Sequence, residues 1–390
     1  MLAWLAAVLS SALAVLTAAP PANQPADEPP PVVEPAEPSA EGPSPGAPLF
    51  NNPFGTSEQR YALIRHINSR IDAAPRGATV RLAAYSFAMP STAQSLIHAH
   101  RRGVDVRVVV DDHSGRWRSV GTLRRTLGTD TSTGSFVQLC RGSCRGRGGN
   151  QHAKFVTISR SGDDEDLVMV GSMNFTTYAA SRQWQDLYSV AGDPQVYAQL
   201  VRVFDEMVDD QPQSPLDLVV TDRGFATDVS PVTPSGVDPL MRRLARVECR
   251  GSTAGTGVRG RTMLRISMHA WNGERGIRLA RRVARLSRQG CDVRVLAGVG
   301  FGPRVTTILR AGGVGYRDSG RARRHTHEKL MILSGHFGGR TDASHVWTGS
   351  HNWSDRSLRN DEVILRVSGR RQVAAYRANF ARIWTTAGPR

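Results

Sequence analysis

Lysine is almost missing from this chain: of 50 basic residues in 390, only Lys154 and Lys329 are lysines, and arginine carries the rest of the positive charge. The compact, rotatable ammonium is therefore confined to two positions, although it differs chemically from the planar guanidinium. Cysteine is scarce as well, at four residues. The first 48 residues lack any base and hold five acids, so the remainder sets 50 basic side chains against 29 acidic ones. That excess draws the body toward phosphate-rich partners such as nucleic acid or an anionic lipid surface. What is present excludes whole-chain disorder, because 40% hydrophobic and 22% charged residues suffice to bury a core.

Residues 2–19 are apolar or small and uncharged, and Pro-rich sequence follows at once. A basic start is missing, yet the pattern reads as a signal peptide over 1–22, with an uncleaved membrane anchor as the alternative. Residues 23–48, rich in Pro, Ala and Glu, read as a disordered spacer. Either reading of the N-terminus puts the body outside the cytoplasm, secreted or tethered. In that compartment four cysteines favour disulfides, and the expected pairs are Cys140 with Cys144 and Cys249 with Cys291. A zinc site on Cys140, Cys144 and His152 is the sharper alternative, but no second metal-type pair stands nearby.

The chain repeats itself. Gly103-Val104-Asp105-Val106-Arg107-Val108 returns as Gly290-Cys291-Asp292-Val293-Arg294-Val295. The block His152-Ala153-Lys154 returns as His327-Glu328-Lys329, and Gly171-Ser172-Met173-Asn174 as Gly349-Ser350-His351-Asn352. Three blocks in one order imply two copies of a domain-sized unit, a first lobe over 49–215 and a second over 239–390, joined by a Pro-containing linker over 216–238. Within each copy, strands alternate with helices. Thr56 opens a helix in capping-box style, with Ile64, Ile67 and Ile71 on one face; Val80–Phe87 and Val104–Val110 read as strands around a helix over 91–102. The second copy repeats this with strands over 263–268 and 293–299 around a helix near 277–289. The fold class is α/β, with a mixed sheet flanked by helices in each lobe.

Side chains two apart on an extended strand share a face. His152 and Lys154 thus project together, as do Ser172 with Asn174, His327 with Lys329, and Ser350 with Asn352. Each copy offers an imidazole, an ammonium, a hydroxyl and an amide, an inventory that suits an anionic tetrahedral centre. A lone His-x-Lys is commonplace, but eleven histidines in 390 positions give odds of roughly one in a thousand that both lysines would follow a His at that spacing by chance. Gly171 and Gly349 are expected to clear room where strand and ligand approach. Asp186 and Glu362, at corresponding strand starts, are the expected carboxylates that orient the two histidines. His325 and His351 adjoin the motifs and are candidates for lining the cleft.

The paired His-x-Lys and Gly-Ser-x-Asn blocks resemble the phospholipase D superfamily, in which two such motifs meet at one active site between similar halves. The likeness runs over residues 50–390 and includes the Leu82-Ala83-Ala84-Tyr85-Ser86-Phe87 strand. Where the family motif continues with an Asp five residues past the Lys, this chain has Ser159 and Ser334. The resemblance implies two lobes related by a pseudo-two-fold, with the site between them. It also implies a two-step displacement at a phosphodiester, with His152 as nucleophile, His327 as general acid/base, and the order open to reversal. Lys154, Lys329, Asn174 and Asn352 would hold the non-bridging oxygens, Ser172 and Ser350 assisting. Fixed positive charge does such work, so neither metal nor cofactor is expected.

Two substrate classes fit. Export and apolar residues near predicted loops, Trp117, Trp184, Phe301 and Trp353, favour a phospholipid such as phosphatidylcholine, hydrolysed to phosphatidic acid and free head-group alcohol. The charge excess and the Arg-rich stretches 141–147 and 321–324 favour nucleic acid, cut by a metal-independent extracellular endonuclease. The expectation is a phospholipase D acting at a membrane surface, with the nuclease as the alternative and no protein partner implied.

Overall fold

The computed structural model describes residues 46–213, 219–220, 224–230, 238–253, 255–322 and 324–388. The segment read as a signal peptide, nearly all of the spacer and most of the linker lie outside them. The described chain contains no helix long and apolar enough to cross a membrane.

Two sheets carry the repeat. In the first, the strands run Pro48–Phe50, Asp186–Val190, Asp164–Gly171, Phe155–Ser161, Thr79–Ala84, Asp105–Asp111 and Phe136–Cys140. The second places Gly315–Asp318, Asp292–Phe301, Met263–Trp271, Lys329–Phe337, Arg340–Gly349 and Glu362–Ser368 in the matching order, read from the opposite edge. Pairing is parallel where a helix crosses over, as between Thr79–Ala84 and Asp105–Asp111, and antiparallel in hairpins such as Phe155–Ser161 with Asp164–Gly171. The two lobes are thus one mixed-sheet unit built twice.

Local sequence explains the elements. Thr56 closes the expected capping box with Gln59, and Ile64, Ile67 and Ile71 are buried on the helix Ala62–Asp72. Val80, Leu82, Val106, Val108 and Val110 are fully or almost fully buried, as strands covered on both faces require. Each such aliphatic contributes about 1.5–3 kcal/mol through burial.

Three buried layers result. Helices Ala62–Asp72, Pro90–Arg101 and Arg118–Leu127 cover the outer face of the first sheet, and Gly273–Arg288 with Pro303–Ala311 cover that of the second. Between the sheets lies a shared core. It takes Phe155, Val168, Val170, Tyr188 and Phe204 from the first lobe and Leu330, Ile332, Val346, Val363 and Tyr376 from the second. Both expected disulfides form, Cys140–Cys144 and Cys249–Cys291.

One expectation needs correction. The stretch read as a linker includes a strand, Phe225–Ser230, that extends the second sheet by pairing antiparallel with Glu362–Ser368. Phe225, Ala226, Thr227 and Val229 are all buried, a short run that the flanking prolines obscured.

Candidate active site

The two motifs of a lobe meet because of hairpin geometry. His152 and Lys154 lead into Phe155–Ser161, while Ser172 and Asn174 leave Asp164–Gly171, its antiparallel neighbour. The entry of one strand and the exit of the other lie at the same end of the sheet. The second lobe repeats this with Lys329–Phe337 and Arg340–Gly349. The shared core then sets both ends against each other: Gln183–Trp184 of the first lobe pairs with His325–Thr326 of the second, and His327 N–H donates to the Trp184 carbonyl at 2.9 Å.

His152, Lys154, His327 and Lys329 are all buried. Each ammonium folds back on its own motif, Lys154 donating to the His152 carbonyl at 2.5 Å and Lys329 to the His327 carbonyl at 2.6 Å. The lobes exchange the groups that orient the imidazoles. His152 Nδ1 meets both carboxylate oxygens of Glu362, from the second lobe, at 3.0 and 2.9 Å. His327 Nδ1 meets two groups from the first lobe, the Ser172 carbonyl at 3.0 Å and Gln185 Oε1 at 3.1 Å. The Glu362 carboxylate fixes Nδ1–H on His152 and leaves its Nε2 to face a substrate, whereas in His327 the Lys329 nitrogen lies 2.8 Å from Nδ1 and 3.2 Å from Nε2.

Asp186 does not orient a histidine, contrary to expectation. Its carboxylate is fully buried and accepts hydrogen bonds from Thr348 and Tyr376. The strand register gives the reason. Ser172 closes a backbone pair with Asp186 just as Ser350 does with Val363, so Gln185, one residue earlier, is the counterpart of Glu362. A one-residue slip carries a side chain to the other face of a sheet. Ser172 reinforces the arrangement by donating to Gln185 Oε1 at 2.9 Å.

The remaining residues fall around this centre. Asn352 Oδ1 accepts from Ala270 N–H at 3.1 Å, whereas the buried amide oxygen of Asn174 has no partner. Ser350 exchanges hydrogen bonds with the Val363 backbone. Gly171 and Gly349 clear room for the neighbouring strand rather than for a ligand: a Cβ would sit 2.4 Å from the Asp186 carbonyl or 2.0 Å from that of Val363. Ser159 and Ser334, at the positions of the family's Asp, accept from Thr79 N–H and Gly257 N–H at 2.9 and 3.0 Å. Trp184 and Trp353 are buried, at 1% and 3% exposure, so they are core residues and not exposed contacts for acyl chains. His351 is buried beside Arg275, and His325 hydrogen-bonds Gln183.

Sequence reasoning passed over several neighbours. The Tyr85 ring lies 4.9 Å from His152, and His269, its counterpart in the second lobe, lies 4.3 Å from His327. Asp111, His113 and Ser86 form a hydrogen-bonded chain beside Tyr85. The shared strand position of Tyr85 and His269, after repeat strands that align residue for residue, was the available signal.

Electrostatics acts in one direction across the site. Burial lowers His152 to about 4, Glu362 opposing the shift and Lys154 and Lys329 adding to it. Burial and then Lys329 hold His327 well below its ordinary value. Lys154 falls to about 7 and Lys329 well below the usual ammonium range, burial leading in both cases. Burial alone would raise Glu362, but His152, His351 and Lys154 together outweigh it and hold the carboxyl below its ordinary value. Burial and mutual repulsion thus disfavour the charged form of all four groups, and an anion placed among them would raise each toward its ordinary value. As for metal ligands, the one cluster among the described residues, Cys140, Cys144 and Asp210, has both sulfurs consumed in a disulfide. The same disulfide removes the zinc alternative.

A family profile described as "Cardiolipin synthase, PLD-like domain" matches residues 67–208 and 261–384. No curated protein matches the chain by sequence. Among solved structures, phosphatidylserine synthase from Haemophilus influenzae Rd KW20 is similar at TM-score 0.57 and 12% identity, over 89% of this chain and 89% of that one. Polyphosphate kinase from Porphyromonas gingivalis is similar at TM-score 0.55 and 12% identity, over 87% of this chain. The alignment spans half the length of that kinase.

Proposed function

Since the chain belongs to the phospholipase D superfamily, we propose that it is a phosphodiesterase that works through a phosphohistidine, and that a phospholipid is its substrate. The observation carrying this reading is the exchange of orienting groups: each imidazole has its Nδ1 held by the opposite lobe, beside a buried ammonium.

The unequal partners support an order of events opposite to the one expected by analogy. The first step needs one neutral imidazole to attack and one protonated imidazole to release the leaving group. Glu362 makes His152 the better imidazolium, whereas His327 faces only neutral acceptors and the Lys329 ammonium, 2.8 Å from Nδ1. In this order His327 Nε2 bonds to phosphorus while the bond to the leaving oxygen breaks, and that oxygen takes the proton from His152 Nε2. His152 then removes a proton from water, whose oxygen displaces His327. Lys154, Lys329, Asn174 and Asn352 steady the charged oxygens throughout.

The name of the similar phosphatidylserine synthase is in keeping with a phospholipid. The excess of arginine supports a nuclease as the second reading.

The test uses phosphatidylcholine vesicles and plasmid DNA with a chelator present. Choline release that disappears in both His152→Ala and His327→Ala is expected, and nicking of DNA without lipid turnover would transfer the assignment to the nuclease. Denaturing an ongoing reaction should trap phosphoenzyme in His152→Ala and none in His327→Ala. The reverse pattern restores His152 as nucleophile.

A further inference from the structure

Beside Tyr85, three side chains form a line of hydrogen bonds that the phosphodiester mechanism does not use. His113 Nδ1–H donates to the Asp111 carboxylate, which leaves Nε2 as an acceptor, and the Ser86 hydroxyl donates to that nitrogen at 3.1 Å. A hydroxyl within reach of an imidazole that a carboxylate orients is the arrangement that turns serine into a nucleophile. The parts come from two neighbouring strand ends: Ser86 lies two residues past Thr79–Ala84, and Asp111 closes the parallel strand Asp105–Asp111.

Folding does not require this line. Ser114 already ties the turn to the strand, donating to the Tyr85 carbonyl at 2.8 Å and accepting from Phe87 N–H at 3.2 Å. Capping of the turn Asp112–Arg116 takes only Asp111, which accepts from His113 N–H at 3.2 Å. The second lobe dispenses with all three groups. Matching the pair Leu82 and Val108 to the pair Ile266 and Val295 puts Ala270, Gly298 and Gly300 at the places of Ser86, Asp111 and His113. There the strand pairing continues, with Ala270 beside Gly300, and a Cβ on Gly300 would lie 2.6 Å from that of Ala270. The same unit therefore forms with or without the polar line. In the first lobe, Ser86 is 9% exposed and His113 keeps 26% of its side chain in solvent, so a ligand meets the pair from the His113 side. The imidazole is flanked by the Tyr85 ring at 4.3 Å and by the edge of Trp117 at 5.3 Å.

We propose that Ser86, His113 and Asp111 form a second catalytic site, which hydrolyses carboxylic esters. Ser86 Oγ bonds to the acyl carbon while its proton passes to His113 Nε2. The bond from that carbon to the alkoxy oxygen then breaks, and the oxygen leaves with the proton as an alcohol. Water next gives a proton to the same nitrogen while its oxygen displaces Ser86 Oγ, which recovers that proton as the carboxylic acid departs. Asp111 steadies the imidazolium between the two transfers. The rings of Tyr85 and Trp117 offer apolar surface to the acyl side. This activity stands apart from phosphodiester cleavage; that one phospholipid carries both kinds of bond is the single point that rests on the phospholipid reading.

The experiment treats the full chain with an alkyl fluorophosphonate, which modifies activated serines, and locates the adduct by peptide mass spectrometry. An adduct on Ser86 is expected, forming about tenfold or more slowly in His113→Gln. Hydrolysis of p-nitrophenyl butyrate should fall about a hundredfold or more in Ser86→Ala, with thermal unfolding showing that the variant is folded. A parent chain whose Ser86 stays unmodified overturns the proposal without recourse to any variant. Equal ester turnover in the parent and in Ser86→Ala overturns it as well. An adduct on His152 or His327 alone does the same, while supporting the phosphohistidine mechanism. Turnover of bis(p-nitrophenyl) phosphate is read alongside: a parent that carries the Ser86 adduct and cleaves the ester but leaves this diester intact upholds the second site and overturns the phosphodiesterase reading.

Discussion

Gln185 stands against His327 where Glu362 stands against His152, a carboxamide in the place of a carboxylate. The substitution of one for the other gives the first test of the proposed roles. Gln185→Glu adds negative charge beside His327 and raises its pKa. If His327 must be neutral to attack, the acid limb of kcat/KM against pH moves to higher pH and activity below neutrality drops. Activity that instead rises at low pH would mark His327 as the proton carrier. Glu362→Gln should lower kcat about a hundredfold or more at neutral pH with a smaller change in KM.

The disulfides should separate stability from turnover. Cys140–Cys144 closes four residues, and the chain just after it is bound to the second lobe: Cys144 and Arg145 N–H donate to Asp361 at 2.6 and 3.1 Å. Asn360 in turn donates to Glu362 at 3.0 Å. Cys249–Cys291 closes a span of 42 residues far from the motifs in sequence. Loop entropy assigns about 2 kcal/mol to the short link and about 4 kcal/mol to the long one. The Cys249→Ser/Cys291→Ser variant should therefore unfold more readily, whereas Cys140→Ser/Cys144→Ser should lose more kcat at temperatures where both are folded. Thermal unfolding and initial rates, measured together, check the crossing.

Lys154→Arg and Lys329→Arg are expected to behave as losses and not as conservative changes. Each ammonium is buried and turned onto the carbonyl two residues back, a space that a planar fork does not share. Turnover should fall at least tenfold, with thermal stability reported alongside. Near-normal turnover in either variant would remove that lysine from contact with phosphate.

Much of this was legible beforehand, for reasons that can be stated. The duplication, the strand and helix order and the Cys140–Cys144 pair rest on local sequence: periodicity around Ile64, Ile67 and Ile71, repeated blocks, and two cysteines four positions apart, which leaves Cys249 to Cys291. Gln185 was not legible because strand register is a property of two strands. Counting from Asn174 pointed to Asp186, the residue that the sheet turns to the opposite face. Burial of Trp184 and Trp353 escaped for a similar reason, since their cover comes from distant parts of the chain: Arg382 lies 4.8 Å over one ring and Trp271 4.3 Å from the other.

A pH effect on stability follows from Glu328, the residue between His327 and Lys329. It is fully buried, accepts from Asn379 at 2.7 Å, and is pushed up to about 8 by burial and then by Asp186. The folded state therefore holds a proton that the unfolded chain has released above about pH 4.5. Stability through this group is greatest below that value and declines as pH rises toward about 8. Glu328→Gln keeps an acceptor for Asn379 and removes the titration. The variant should match the parent near pH 4 and exceed it near pH 9 by on the order of 5 kcal/mol, read from calorimetric unfolding at both ends.

Because Glu362 reaches back to His152 and Ser172 with Gln185 reach forward to His327, neither half of the chain contains a finished site. Any parting of the halves frees both imidazole rings to rotate and change tautomer together. Loss of turnover under mild denaturant should then be a single step, and enzymatic rate becomes a direct gauge of whether the halves remain closed on each other.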